Sequence, residues 1–362
     1  MLTDLDYINR ALDLAERGRG TTSPNPMVGA VVVREDGTIV GQGYHEKAGG
    51  PHAEVRALDE AGDLSRRASL FVTLEPCAHV GLTGPCVERV AAAGITRVVA
   101  SSEDPNPLVA GRGFTFLRQH GIEVVVGAGR ERAARLNRPF FTFMRQGRPF
   151  VIVKAATSLD NRVAHRRGGR AQISSAESMR HAHAIRAEVD AIGVGSETVL
   201  VDDPLLTARE IPRARPLIRV VFDRRLRVPA SARLFSTLEA GPVIIVTTPD
   251  SLSRNPARAR ELERVGAHVE PIKGSDLQSA LRRLAEKQIV SLVLEGGPTL
   301  HRAAASEGVV DAVHLYVAPD PVGNRGVPWL DSGELRLAAL DDRRVTVCGR
   351  DVFMEGYVHR ID

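Results

Sequence analysis

Residues 50–102 read GPHAEVRALDEAGDLSRRASLFVTLEPCAHVGLTGPCVERVAAAGITRVVASS. Within this stretch EVRALDEA (54–61) has helical spacing, and SLFVTLE (69–75) reads as an apolar strand. CVERVAAAGI (86–95) is helical again, and RVVASS (97–102) is a second strand. Strand and helix in alternation predict an α/β layered domain with a largely parallel sheet. Working outward, GAVVV (29–33) predicts a buried strand, FTFLRQHG (114–121) a helix and EVVVG (123–127) a further strand. The polar run RQGRPF (145–150) carries Gly and Pro and marks a boundary, giving domains 1–146 and 147–362. The alternation then restarts with VIVKAATS (151–158), a helix over 176–188, AIGVG (191–195), IRVVFD (218–223) and PVIIVTT (242–248). A helix over 276–287 and the strand SLVLEGG (291–297) follow, so the second half is a second α/β domain.

Composition narrows the class. A chain of 362 residues, 43% hydrophobic and 25% charged, has the length for two domains and the make-up of a globular protein. No apolar run approaches the roughly 20 residues that span a bilayer. The first residues, MLTDLDYINRALDLAERG, form a charged amphipathic segment without a signal-peptide core, so the expected location is the cytoplasm, with no membrane partner. The net charge of +4 is spread along the chain, which argues against a nucleic-acid partner. Arg greatly outnumbers Lys, so Lys154 at the end of an apolar strand stands out. Three cysteines do not make a disulfide framework; a metal or catalytic role comes first, and Cys348, which has no partner motif, reads as a packed core thiol.

His52-Ala53-Glu54, Glu75-Pro76-Cys77 and Pro85-Cys86 supply one imidazole and two thiolates. Three such ligands leave the fourth tetrahedral position of zinc open for water, the mark of a catalytic metal. Gly-Pro pairs precede His52 and Cys86 at helix starts, where the helix dipole favours thiolate. Glu54, two residues past His52, reaches the water without ligating the metal and carries its proton to a leaving amine, the arrangement of zinc deaminases.

Nucleoside and tRNA-editing deaminases carry P-C-x-x-C, whereas here the cysteines stand at 77 and 86. The run LEPCAHVGLTGPC (74–86), with NPMVG (25–29), GYHEKAGGPHAE (43–54) and DPNPLVAGRGF (104–114), resembles the deaminase half of the bifunctional riboflavin-biosynthesis deaminase/reductase (RibD) family. The resemblance covers nearly the whole chain. It implies an N-terminal cytidine-deaminase-like α/β/α domain and a C-terminal dihydrofolate-reductase-like α/β domain. It further implies zinc and NADPH as cofactors, a pyrimidine ribose-phosphate substrate, and a homo-oligomer, dimer or tetramer. Residues matching Asn25, His45, His79, Asp104 and Asn106 line the family's pyrimidine and phosphate pocket. In the second half, Lys154 and Glu295 match residues at the reacting sugar, and Arg186, Leu206 and Arg209 match substrate contacts, the arginines suited to a 5-phosphate. Ala156, Gln172, Thr198, Asp202, Gly297, Pro298, Thr299 and Leu300 match the dinucleotide site.

The second half also departs from the family. Asn161 stands for a Gly, Gln172 for a Trp and Arg170 for a Ser, and APDPVGNRGVPWL (318–330) replaces a leucine-rich turn. A deaminase whose degenerate C-terminal domain serves binding or assembly therefore stays open as the alternative. So does a closed zinc module, for which His79 is the nearby fourth ligand.

Overall fold

The computed structural model describes all residues except 1, 79–83, 108, 170–171, 275, 331–332 and 361–362. The chain divides into two compact units, Met1–Gly147 and Arg148–Arg360.

The first unit opens with α1 (Asp4–Glu16), started by a reciprocal Thr3–Asp6 capping box. The strands β1 (Gly29–Val33) and β2 (Ile39–Tyr44) follow as a hairpin. Its turn contains Asp36-Gly37, with Gly37 at φ +85°, a short-range hairpin signal that the reading of GAVVV alone passes over. Next come α2 (Ala53–Ala61), β3 (Ser69–Val72), α3 (Cys86–Ala92), β4 (Arg97–Ala100), α4 (Arg112–Gln119), β5 (Glu123–Val126), α5 (Arg130–Leu136) and α6 (Arg138–Gln146). The sheet order is β2-β1-β3-β4-β5; β3, β4 and β5 run parallel, and β1 is antiparallel to both neighbours. Alternation along β1 sends Ala30 and Val32 to one face, against Ala57, Leu58 and Val90, and Val31 and Val33 to the other, against Ile8, Ala11 and Leu12. The result is an α/β/α sandwich. Each fully buried side chain the size of Ile8 or Leu12 contributes about 1.5–3 kcal/mol.

The second unit contains β6 (Phe150–Thr157), β7 (Arg162–Ala164), α7 (Ala176–Glu188), β8 (Ala191–Gly195), α8 (Ser196–Asp202), β9 (Ile218–Phe222), β10 (Val243–Thr247), α9 (Pro249–Arg254) and α10 (Pro256–Arg264). It continues with β11 (Ala267–Pro271), α11 (Leu277–Ala285), β12 (Ser291–Gly296), α12 (Pro298–Ser306), β13 (Ala312–Val317), β14 (Val327–Pro328), β15 (Asp341–Cys348) and β16 (Asp351–Tyr357). One sheet has the order β11-β10-β9-β8-β12-β6-β13-β16-β15, parallel from β11 to β13 and closed by an antiparallel β16-β15 hairpin. Arg148 and Asp311, both buried, form a bidentate pair at 2.6 and 2.8 Å, and Asp311 also accepts from the Val151 N–H, which fastens the start of β6. Removing one partner of such a pair costs about 3–5 kcal/mol, whereas the exposed pairs elsewhere contribute about 0–1 kcal/mol.

The helix over 176–188 and the strands at 191–195 and 29–33 stand where the sequence places them. Strands β2, β11, β13, β15 and β16 add to the sequence reading. Asn161 has φ +61°, a left-handed conformation that Asn tolerates in place of Gly, and its side-chain amide donates to the Leu330 carbonyl at 2.9 Å. Asp160 anchors the divergent 318–330 run by accepting from the N–H groups of Val322 and Gly323.

Candidate active sites

In the first unit, β3 ends early, so Thr73–Glu75 continue past the strand and Cys77 follows in a loop beyond its carboxyl end. His52 is the residue before α2 and Cys86 is the first residue of α3. The His52 Nδ1 lies 3.2 Å from the Cys86 Sγ and 3.6 Å from the Cys77 Sγ, and all three donor atoms fall within 4.8 Å of one another. Zinc–sulfur bonds of about 2.3 Å and zinc–nitrogen bonds of about 2.0 Å put tetrahedral ligand atoms roughly 3.6 Å apart, so the set fits that ion. The first N–H of α3 donates to the Cys77 Sγ at 3.4 Å. Donation from Cys86 lowers the Cys77 thiol to about 4 despite burial; that same hydrogen bond, with burial, pushes Cys86 up. Two sulfurs sharing one proton in this way release it to solvent when a divalent cation takes its place. Among the described residues no fourth side chain joins the cluster; His79 lies outside them.

Glu54, in the first turn of α2, is buried with its carboxyl against Cys86. Burial raises it above the ordinary carboxylate range, with His52 opposing. His45 is also buried: its Nδ1 lies 3.1 Å from the Pro51 carbonyl and its Nε2 3.2 Å from the Asn25 amide, and its ring meets the His52 ring edge-on. Burial lowers its pKa. Asp104, pushed up to about 6 by burial, accepts from the Asn106 N–H at 2.8 Å. Glu75, quoted in the motif but given no role there, accepts from four backbone N–H groups, those of Asp104, Gly111, Gly113 and Phe114.

In the second unit the candidate side chains come from β6, α7, β12 and β13. Glu295 on β12 receives both Nε and Nη2 of Arg186 at 2.6 Å, and the third nitrogen of Arg186 donates to the Thr207 carbonyl at 2.8 Å. Arg186, matched to a substrate contact by resemblance, gives three of its five N–H groups to these partners. Lys154 Nζ sits 3.9 Å from Glu295 and over the Tyr316 ring. Burial lowers the Lys154 pKa, while Arg186 and Lys154 together outweigh burial and hold Glu295 at about 2. Register pairs Lys154 with His314 and Ala156 with Tyr316, whose hydroxyl meets His181 at 2.9 Å. Neither histidine nor Tyr316 carries a sequence motif. Arg209 is exposed, with its backbone N–H and guanidinium against His183, and Leu206 is buried.

The carboxyl ends of β8 and β12 meet at glycines: a Cβ on Gly296 or Gly297 would approach the Thr198 hydroxyl at 3.6 Å, and one on Gly195 the Gly296 carbonyl at 4.0 Å. Gly297 precedes α12, so Pro298, Thr299 and Leu300 form a helix start beside Thr198, a cradle that suits a dinucleotide phosphate. Asp202 ends α8 in an exposed position. Gln172 is exposed and its amide points to the Met179 sulfur at 3.4 Å; Arg170 lies outside the described residues.

Residues 1–102 match the cytidine and deoxycytidylate deaminase zinc-binding region, and residues 149–354 match the RibD C-terminal domain. The riboflavin biosynthesis protein RibD of Aquifex aeolicus is 43% identical over 339 residues, 94% of this chain and 92% of that one. The chain belongs to the RibD family. RibD of Acinetobacter baumannii superposes with a TM-score of 0.86 at 34% identity, covering 98% of this chain and 99% of that one. A Thermotoga maritima diaminohydroxyphosphoribosylaminopyrimidine deaminase/5-amino-6-(5-phosphoribosylamino)uracil reductase superposes at 0.82 with 33% identity, covering 98% of each. This RibD-family chain is accordingly a bifunctional deaminase and reductase of riboflavin biosynthesis that uses zinc and NADPH. The reading of its second half as a degenerate module is not favoured, because the RibD C-terminal match spans 149–354.

Proposed function

We propose that residues 1–146 hydrolyse the 2-amino group of 2,5-diamino-6-ribosylamino-4(3H)-pyrimidinone 5-phosphate and residues 147–362 then reduce its ribosyl group to ribityl. The substrates are those in the name of the Thermotoga relative. The observation that carries the first step is the His52, Cys77 and Cys86 cluster with Glu54 buried beside it. Zinc held there supplies Lewis acidity. Glu54, whose pKa burial raises, takes a proton from the attacking water and returns it to the amine, which leaves as ammonia. Asn25, oriented by His45, offers donors and an acceptor to the pyrimidine edge, and the Asp104–Asn106 turn completes the described part of the pocket.

NADPH supplies the hydride for the second step. Lys154 gives the proton that the opening ribose oxygen requires, and Glu295, held by Arg186, accepts from a sugar hydroxyl. Exposed Arg209 takes the 5-phosphate, with Leu206 behind it. Ala156, Gln172, Thr198, Asp202 and Gly297 to Leu300 receive the dinucleotide.

The partner of the folded chain is a second copy of itself. The outer strand β15 carries Val345 and Val347, 63% and 82% exposed, beside Val352 on β16. Its order Asp341-Asp342-Arg343-Arg344 is self-complementary when two copies run antiparallel, each acid facing an arginine. No helix among the described residues is long and apolar enough to cross a membrane. The cytoplasm as the site of the reaction is part of the same proposal. The direct test offers purified protein the diaminopyrimidine phosphate with and without NADPH and identifies products by mass. Ammonia without NADPH and a ribityl product with it are expected; unchanged substrate in both overturns the reading.

A further inference from the structure

Glu75 is buried two residues before the ligand Cys77, yet it neither joins the metal cluster nor pairs with a cation among the described residues. Its Oε2 accepts from the N–H groups of Asp104 at 3.1 Å and Gly111 at 3.0 Å, and its Oε1 from those of Gly113 at 2.8 Å and Phe114 at 3.2 Å. The residue before α4, Gly111, has no side chain to cap the helix and stands at φ +73°. The carboxylate of Glu75 fills that role from another part of the chain: it satisfies N–H groups that a helix start leaves open, and its charge lies at the positive end of the helix dipole. The fit is close, because a Cβ on Gly113 would fall 2.2 Å from the Pro76 carbonyl and 3.0 Å from Glu75 Oε1. The same strand end also carries the Glu75 N–H, which donates to the Ser102 carbonyl at 3.0 Å.

We infer that Glu75 is a positioning residue for deamination, one carboxylate that locks the Asp104–Asn106 turn and the start of α4 to the segment bearing Cys77. The inference rests on the reading above that this turn faces the substrate. A side chain whose four acceptor contacts go to the 104–111 loop and the first turn of α4 fixes both relative to the metal ligand, and so sets where the substrate's polar groups meet the protein while leaving the proton carrier Glu54 untouched.

The test compares wild type with Glu75→Gln, which keeps the shape but turns one acceptor oxygen into a donor facing two N–H groups. Zinc content should stay at one per chain and reduction by the same protein should be unchanged, showing the chain folded. Amide exchange of the peptide spanning 104–114 should rise at least tenfold in both zinc-loaded and zinc-free protein. The KM for deamination should rise about tenfold, with kcat altered less than threefold. Gly113→Ala, which wedges the same contact from the loop side, should move exchange and KM in the same direction. Unaltered exchange and KM in either folded variant overturns the inference, and so does loss of zinc or of the folded first unit in both, since that is a purely structural role. Failure of the wild type itself to release ammonia would instead refute the substrate reading, a result distinguishable from these.

Discussion

The two catalytic regions are assembled in opposite ways. The proposed deaminase centre draws His52, Glu54, Cys77 and Cys86 from three short motifs at the edges of neighbouring elements, with the metal's demand for imidazole and thiolate restricting which residue types can serve. The proposed reductase centre draws Lys154, Arg186, Glu295 and Tyr316 from four elements far apart in sequence, where buried charges offset each other. A metal site is therefore written locally, whereas a charge-balanced hydride site depends on which strands become neighbours.

The sharpest way to break this contrast is to disable each centre alone. Glu54→Gln should lower ammonia release by about 10²–10⁴-fold while zinc stays bound and NADPH oxidation with deaminated substrate is retained. Metal analysis and the two separate assays read this; retained deamination removes Glu54 from the mechanism. Lys154→Met should reduce NADPH oxidation by about 10²-fold and leave ammonia release as in wild type. Equal loss of both activities would show the two centres are not independent.

Buried histidines add a dependence on pH. In the second unit burial holds His301 and His314 at about 4, below the ordinary 6.5. The folded chain keeps both neutral, so as pH falls from 6.5 towards 4 the unfolded chain takes up protons that the folded one does not. Stability should thus be constant above about 6.5 and decline below it, by on the order of 3 kcal/mol per histidine at pH 4. Denaturant titrations of His301→Gln and His314→Gln should show a flatter decline than wild type; the same slope in all three proteins contradicts the assignment. The smallest effect belongs to the outer strand: Val347→Arg should halve the mass seen by light scattering with both activities changed less than twofold. An unchanged mass places self-association elsewhere.

Much of the first unit was legible. GAVVV, the helix behind His52 and the Cys86 helix start each carry their own periodicity and punctuation, and the ligand types name the metal. What the sequence could not convey there was Glu75, because its signal is the set of N–H groups it meets, and a carboxylate before a Pro-Cys pair has no pattern of its own. In the second unit the strands β13, β15 and β16 passed unread, since AVHLYV mixes His and Tyr into its buried side and DDRRVTVC is exposed on both faces. Arg186, matched to a substrate contact by resemblance, also pairs with Glu295, a partnership that its residue type alone does not reveal. Asn161 and the 318–330 run, departures in sequence, keep ordered backbone through a left-handed Asn and the Asp160 carboxylate.

Sequence by itself determined the two α/β halves and singled out the three side chains that the fold gathers into a candidate metal site, because periodicity and ligand chemistry are properties of short segments. Only the tertiary structure decided that β13 lies beside β6, so that Tyr316 stands under Lys154, and that Glu295 faces Arg186. Strand order, and with it the distance between charges, is set by packing across the whole sheet, which no local run of residues records.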